Sequence, residues 1–535
     1  MAPSPSSSSS SSSATTSSSG HVYDSTAAFG LLSLLLLLGH ATRTLVTPIR
    51  ALHIPSSVVA GLLGLAAINT LPPIIPGLEE FAHNTRNAWR SWPGILINLI
   101  FSAMFLGVRL PSASKVANIA GMQLCYGFFI AFGQWTVALG ITLAIVVPIW
   151  KTDPLIATTI PVGFAGGHGT AGGLVETYKD LGFNAGSDLG LFTATVGLIS
   201  ALAIGVGAVA YARATGAMPV RASSGDGHGG SDAAAKSSGI IPLDERPIAG
   251  RLTVPGEQLD SMSLHAAFVG LAVAFGMALK AVLVALENLS EATKSLGLAA
   301  SLPLFPMCML GGVAVQSFVE RAFAASPIDR DLMERVSNLS LDYLVAGAVA
   351  GLDLATVSSG LAPILVLVFF GLLWNAACLF LFAPRLFVDH KYERGVVEMG
   401  QNTGVVATGL LLLRMADPNN ITGVLQAFTF KQIVHSAFMG GGLWTVTGVV
   451  LVHRLGPFQV FVITGCITLA CGLLGYLVLV PLAQRSASAA SFTDNPMHDD
   501  ESEGNVRDDQ VLLPVSQNLI TTRSDSTSTV DEEVS

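Results

Sequence analysis

Apolar runs close to the roughly 20 residues that cross a bilayer recur along this chain from Ala27 to Pro481. A helix packed on an aqueous core shows one apolar stripe, whereas runs that are apolar all round fit lipid as their solvent. In lipid every backbone N–H and C=O must be satisfied within the segment, which leaves helices as the spanning element for runs of this length. Charged residues make up only 12 % of the 535, about half of what a soluble domain carries. The sequence therefore predicts an all-α polytopic membrane protein. The net charge of −9 owes much to clusters near the C-terminus, DDESE and DEE, and no basic cluster implies nucleic acid. Cys125, Cys308, Cys378, Cys466 and Cys471 sit in apolar runs without metal-ligand spacing and read as small buried hydrophobes.

Three segments are not membrane. Residues 1–26 form a serine tract that reads as disordered; it lacks the arginine of a transit peptide. Residues 213–262 read as a Gly/Ser/charged linker, and 484–535 as a disordered acidic tail. The linker separates two membrane halves, 27–212 and 263–453. Spans are expected at 27–47, 55–75, 93–110, 117–149 and 187–211, then at 264–286, 299–318, 342–357, 361–383 and 428–452. An extra transmembrane helix at 457–481 has no counterpart. A helix over 117–149 would be about 50 Å long against a hydrocarbon core of about 30 Å, so it must tilt, break or leave the bilayer.

The halves agree in local detail. The fourth span carries FGQW at Phe132–Trp135, and its counterpart carries FGLLW at Phe370–Trp374. A polar, glycine-bearing stretch follows each: AGGHGTAGG at 165–173 and MGQNTGVVATG at 399–409. This order predicts two five-helix repeats, each with a glycine-rich re-entrant hairpin, at 155–176 and 395–414. An odd number of crossings inverts the second repeat relative to the first, so the hairpins enter from opposite sides. Most Lys and Arg residues, from Arg43 and Arg50 through the linker to Lys431 and Arg485, then share one face. The positive-inside rule makes that face cytoplasmic, with the N-terminus extracytoplasmic and the C-terminus cytoplasmic. Asn288, in an Asn-Leu-Ser sequon, falls on the outer face, and Lys280 is expected to snorkel toward it.

Non-helical backbone at membrane depth is tolerated only where protein covers it or a polar cavity receives it. Glycine permits the sharp turn and the close approach of another backbone. Two such turns facing each other would form a midplane site for an anionic solute and a cation. The candidate substrate-binding residues are Gly166, Gly167, His168, Gly169, Thr170, Gln401, Asn402, Thr403 and Gly404. Thr170, Asn402, Thr403 and Glu398 are the candidate sodium ligands. Each has a structural reading beside the functional one. His168 contacts substrate, carries a proton, or bonds a local carbonyl. Thr170 and Thr403 are ligands or caps of their own half-helices. Glu398 coordinates an ion or pairs with Arg394 or Arg414. Arg414 clamps a carboxylate or follows the positive-inside count, and Asp353 is an ion ligand or a loop charge. Glu176 reads as a solvated charge, and Gln134 and Asn375 read as interhelical hydrogen-bonding groups.

The GGHGT motif (Gly166 to Thr170), the run TATVGLISALAIGVG after it, and the two inverted halves resemble the glutamate:sodium symporter family over residues 27–452. That resemblance implies a sodium-coupled carrier of L-glutamate that works as a homodimer. It also implies loops at 163–176 and 398–410 that form the translocation site, and one moving domain per protomer. Sodium is then the coupling ion, and no other cofactor is expected. MGQNTGVVATG lacks the dense glycine of that family's second loop, which puts glutamate itself in question. A proton-coupled or other organic-anion carrier, and a non-transporting receptor or channel, are the alternatives. No Walker-type GxxxxGK[ST] is present, and enzymatic chemistry has no motif behind it.

Overall fold

The computed structural model describes residues 12–485 apart from 52, 110–111, 219–239, 244–245, 292–293, 295–296 and 419. The acidic tail beyond 485, residues 1–11 and much of the linker lie outside the described residues. Every regular element described is helical. Eight of these helices are long and apolar enough to cross a bilayer, which is the architecture of a multi-pass membrane protein.

The first half comprises α1 (Ser12–Leu45), α2 (Ser56–Thr70), α3 (Leu78–Ala103) and α4 (Ala113–Ile141). Three short helices follow, α5 (Thr159–Phe164), α6 (Gly167–Gly173) and α7 (Val175–Asp180), and then α8 (Gly186–Ala214). The second half holds α9 (Ser261–Glu287), α10 (Phe305–Ala322), α11 (Arg330–Ala350), α12 (Leu361–Ala377), α13 (Lys391–Ala416), α14 (Val424–Phe438) and α15 (Leu443–Arg454). α16 (Pro457–Leu474) closes the chain. The linker boundaries agree with the ends of α8 and α9.

Several boundaries differ from the sequence reading. Residues 12–26, expected to be disordered, form the first turns of α1, because adding residues to an existing helix costs far less than starting one. The expected span 93–110 is the second half of α3, whose first half carries Glu79, Glu80, Arg86 and Arg90. The expected span 342–357 is likewise the end of α11, followed by a separate short helix, Leu354–Ser359. Neither helix is among those apolar enough alone to count as a span, and the two pack against each other. The span at 428–452 is broken at Gly440 and Gly441, both with positive φ.

Long α4 does not end at Ile141. It passes through a π turn at Thr142–Val146 and continues to Trp150. The same device recurs at Cys378–Phe382 after α12 and at Gly475–Leu479 after α16. Each π turn ends two residues before a proline: Pro148, Pro384 and Pro481. Proline has no N–H and its ring clashes with the carbonyl four residues back; a wider turn removes both conflicts and lets the helix go on.

The helices sort into two bodies that mix the halves. α1, α2 and α3 pack with α9, α10 and α11. Leu32, Ala60, Trp89 and Ala346 form part of their core, and Arg330 ties α11 to the end of α3 through the carbonyls of Ala103, Met104 and Leu106. The second body gathers α4 through α8 with α12 through α16. Within it the two tryptophan motifs meet: the Trp374 indole lies where a Cβ on Gly133 would be and donates to Ile130 O at 3.0 Å.

Candidate functional site

The glycine stretches form the two places where the second body folds back on itself. In the first, α5 ends at Phe164 and α6 starts at Gly167, whose φ of +68° is in the left-handed region open to glycine. The Thr158 and Tyr178 hydroxyls, 20 positions apart in sequence, lie 2.8 Å from each other and close this hairpin. In the second, α13 is interrupted at Gly404 and Val405. Its arms return on each other so closely that a Cβ on Gly400 would sit 2.8 Å from Gly409 Cα, and one on Gly409 would sit 2.5 Å from Val397 O. Only glycine at both positions permits that approach.

The two turns meet. A Cβ on Gly167 would lie 2.4 Å from Val405 Cγ1. Helix α8 supports both hairpins: Gly163 packs against Thr193, and Gly197 leaves room for the carbonyl of Thr403. The structure thus brings together the stretches around 165–173 and 398–409.

Partners differ between the two. His168 is buried, and its Nε2 lies 2.9 Å from Thr195 Oγ1. The Thr195 hydroxyl gives its hydrogen to Leu191 O at 3.1 Å, so the imidazole is the donor to it. Thr170 Oγ1 donates back to Gly166 O at 3.0 Å and lies 3.4 Å from Gly440 O. Gly166, Gly167 and Gly169 contribute backbone and space.

The second hairpin is anchored by side chains. Glu398 Oε2 accepts from Lys431 Nζ at 2.8 Å, and its Oε1 accepts from Gln123 Nε2 at 2.8 Å. Both ends of this ion pair are fully buried. Gln401 Oε1 accepts from Lys431 Nζ at 2.6 Å, and Gln401 Nε2 lies 3.2 Å from His435 Nδ1. Gly127 on α4 makes space for the ammonium: a Cβ there would meet Lys431 Cε at 2.5 Å. Gln134 and Asn375 both donate to Asn402 O, at 2.9 and 3.4 Å, in keeping with their expected interhelical role. Asn402 Nδ2 donates to Glu398 O at 2.9 Å.

One expectation needs correction. The partner of Glu398 is Lys431, not Arg394 or Arg414: Lys431, counted with the cations of one face, lies in the middle of α14 with its side chain fully buried. Arg394 instead binds Asp389 and Gln123, and Arg414 is exposed. The two Glu398 oxygens each accept one of these bonds, from Lys431 and from Gln123. Asp353 is the N-cap of Leu354–Ser359, bonded to Ala355 N and Thr356 Oγ1. Glu176 is exposed, 3.8 Å from Lys179.

Sequence reasoning missed Lys431, His435, Gln123 and the Gly440–Gly441 turn, which touches Thr170. A signal existed: a lysine and a histidine four positions apart in an apolar helix have to find polar partners inside the protein. Arg90 on α3 was also missed; it pairs with Asp188 on α8 at 2.8 Å, an ion pair that crosses between the two bodies. The small-residue face of α6 lies on the same boundary: Gly172 packs against Pro93, and Gly173 against Ile97. The class that fold and geometry define is an all-helical, multi-pass membrane protein. No family model, curated protein or solved structure matches the chain.

Proposed function

We propose that the chain is a sodium-coupled secondary transporter of a small anionic solute, L-glutamate by default, as the resemblance to the glutamate:sodium symporters implies. The contact between Gly167 and Val405 carries this reading. Interrupted backbone inside a membrane body is costly unless it serves a polar site, and here two interruptions converge with Thr170, Gln401, Asn402 and Thr403 buried beside them. The hairpins are re-entrant and the halves are inverted repeats, with the N-terminus outside and the acidic tail in the cytoplasm. Matching π turns before Pro148 and Pro384 support the repeat, as do the hairpins that follow each.

The body holding the hairpins moves against the body of α1–α3 and α9–α11, exposing the tips first to one side and then to the other. Two features of their boundary support this. Gly172 and Gly173 give a nearly smooth contact on α3, and Arg90–Asp188 is an ion pair across the boundary that can break in one state. The protomer pairs as a homodimer through the static body.

The test is uptake by purified protein in liposomes under an imposed sodium gradient, with labelled glutamate beside aspartate, malate and 2-oxoglutarate. Sodium-driven glutamate uptake that disappears in Gly167→Leu supports the reading to its substrate. Uptake of another of these anions keeps the mechanism and changes the cargo. No sodium-driven uptake of any of them sinks it. A second reading, a proton-coupled carrier of an organic anion, draws on the buried Glu398, Lys431 and His435 cluster. It requires that uptake follow a proton gradient in the absence of sodium.

A further inference from the structure

Around the carbonyl end of the first arm of α13, four buried side-chain oxygens have no hydrogen-bond partner among the described residues: Gln134 Oε1, Asn375 Oδ1, Asn402 Oδ1 and Thr403 Oγ1. These residues are between 0 and 1 % exposed. They come from three helices, yet Gln134 and Asn375 converge on one atom, Asn402 O. The orientation of both amides is fixed by that carbonyl. Turning either one over would set oxygen against oxygen, and for Asn375 against Gly371 O as well. The acceptors are therefore left over by construction, and buried acceptors of this kind require a donor or a cation.

We infer that these four oxygens ligate a monovalent cation of sodium size; this deepens the transport reading by giving the coupling ion a location. The backbone favours positive charge there. Non-helical φ and ψ at Gly404 and Val405 end the arm at Thr403, so the carbonyls of its last turn lack helical partners and carry the negative end of the helix dipole. The chemistry of the set selects the ion class. Neutral amide and hydroxyl oxygens suit a hard alkali cation, whereas calcium sites use carboxylates. The nearest carboxylate, Glu398, is neutralised by Lys431, and among the described residues no three His, Cys, Asp or Glu side chains cluster. Compared with the sequence expectation, Asn402 and Thr403 stay as ligands, Gln134 and Asn375 join them, and Glu398 and Thr170 leave.

The experiment measures equilibrium binding of radioactive sodium to the full-length purified chain in detergent, without organic solute, at constant ionic strength set with choline chloride. Saturable binding is expected, with choline not competing. Gln134→Met should weaken it by about ten-fold or more, and Thr403→Val, which keeps the shape and removes one oxygen, by about three-fold or more. Asp353→Asn should leave it unchanged. Melting in choline alone shows which variants are folded, and Thr403→Val keeps the test decisive where Gln134→Met fails to fold. Absence of saturable sodium binding overturns the inference, since water then satisfies the oxygens. So does binding that survives both variants but is lost in Glu398→Gln. The outcome separates from the transport reading: sodium binding without solute uptake leaves the ion site standing, and sodium-driven uptake that is indifferent to Gln134→Met and Thr403→Val removes the site alone.

Discussion

The two hairpins do the same topological thing by opposite means. The first is held by absence: glycines at 163, 167, 172 and 173 let α8, Val405, Pro93 and Ile97 approach its backbone, and its polar side chains bond locally. The second is held by presence: Glu398, Gln401 and Asn402 reach α4, α12 and α14 through hydrogen bonds and a buried ion pair. The difference bears on mobility. Backbone packed on small residues can slide without leaving a charge unpaired, whereas a buried ion pair fixes its arm to the helices around it. On the proposed mechanism, the first hairpin suits the sliding boundary and the second the body that travels with it.

Breaking the second hairpin should produce the largest effect. Glu398→Gln leaves the Lys431 ammonium buried without a counter-charge, at a cost of about 3–5 kcal/mol, which a drop in melting temperature in detergent would register. Lys431→Met should also destabilise, because it leaves the Glu398 carboxylate buried without a counter-charge. The double variant Glu398→Gln/Lys431→Met should recover most of the loss. Failure to recover would mean that the anchoring lies elsewhere.

Breaking the first hairpin should act differently. Gly167→Ala sets a methyl 2.4 Å from Val405 Cγ1 and holds an L residue at φ +68°, a conformational penalty of about 1–2 kcal/mol. The expected result is near-complete loss of uptake with a fall in stability smaller than that of Glu398→Gln. Equal falls would erase the distinction between a steric turn and an anchored one.

The boundary offers a gentler probe. Asp188→Asn removes the charge that pairs with Arg90 and keeps the shape. If the pair belongs to one state of the proposed moving body, labelling of a cysteine placed at Gly173 should change several-fold, while the melting temperature falls less than in Glu398→Gln because the Arg90 side chain is 34 % exposed and can be solvated. Unchanged labelling would mean that the pair is structural in both states.

The smallest effect is a pH dependence beyond the end of α13. Burial works to raise the Asp417 carboxyl, but the Thr422 hydroxyl and the Thr422 and Ile421 amides bonded to it prevail and hold it below its usual range. The folded form therefore gains stability from this group above the ordinary carboxylate value, and loses it as pH falls through the depressed one. Asp417→Asn should flatten the stability profile in that acid range only. A profile unaltered by the substitution would show that the loop after the hairpin contributes nothing to acid stability.

Much of this was legible in the chain. Hydropathy alone marks a helical membrane protein, because lipid leaves no other solution for apolar runs of this length. The two polar glycine stretches stand out because nothing else in such a chain explains them. Gly166–Thr170 and Gln401–Gly404 lie at or beside the turns that meet. What was hidden was the company they keep. Lys431 reads as a loop cation because the positive-inside count sees sequence position and not depth. Gln134 and Asn375 read as isolated polar groups because nothing in a sequence shows that two side chains 241 positions apart share one carbonyl. Helices α3 and α11 read as shorter apolar spans because their first halves carry charges, among them Glu79, Glu80, Arg86 and Arg90 on α3 and Arg330, Asp331, Glu334 and Arg335 on α11.

The sequence by itself determined the helices and the glycine turns, since these follow from local sterics and from burial in a solvent that offers no hydrogen bonds. Only the tertiary structure decided that the helices divide into two bodies across the halves, that Gly167 meets Val405, and that Glu398 finds Lys431. Those outcomes depend on which surfaces pack closest once the chain is assembled, and no local stretch of it carries that information.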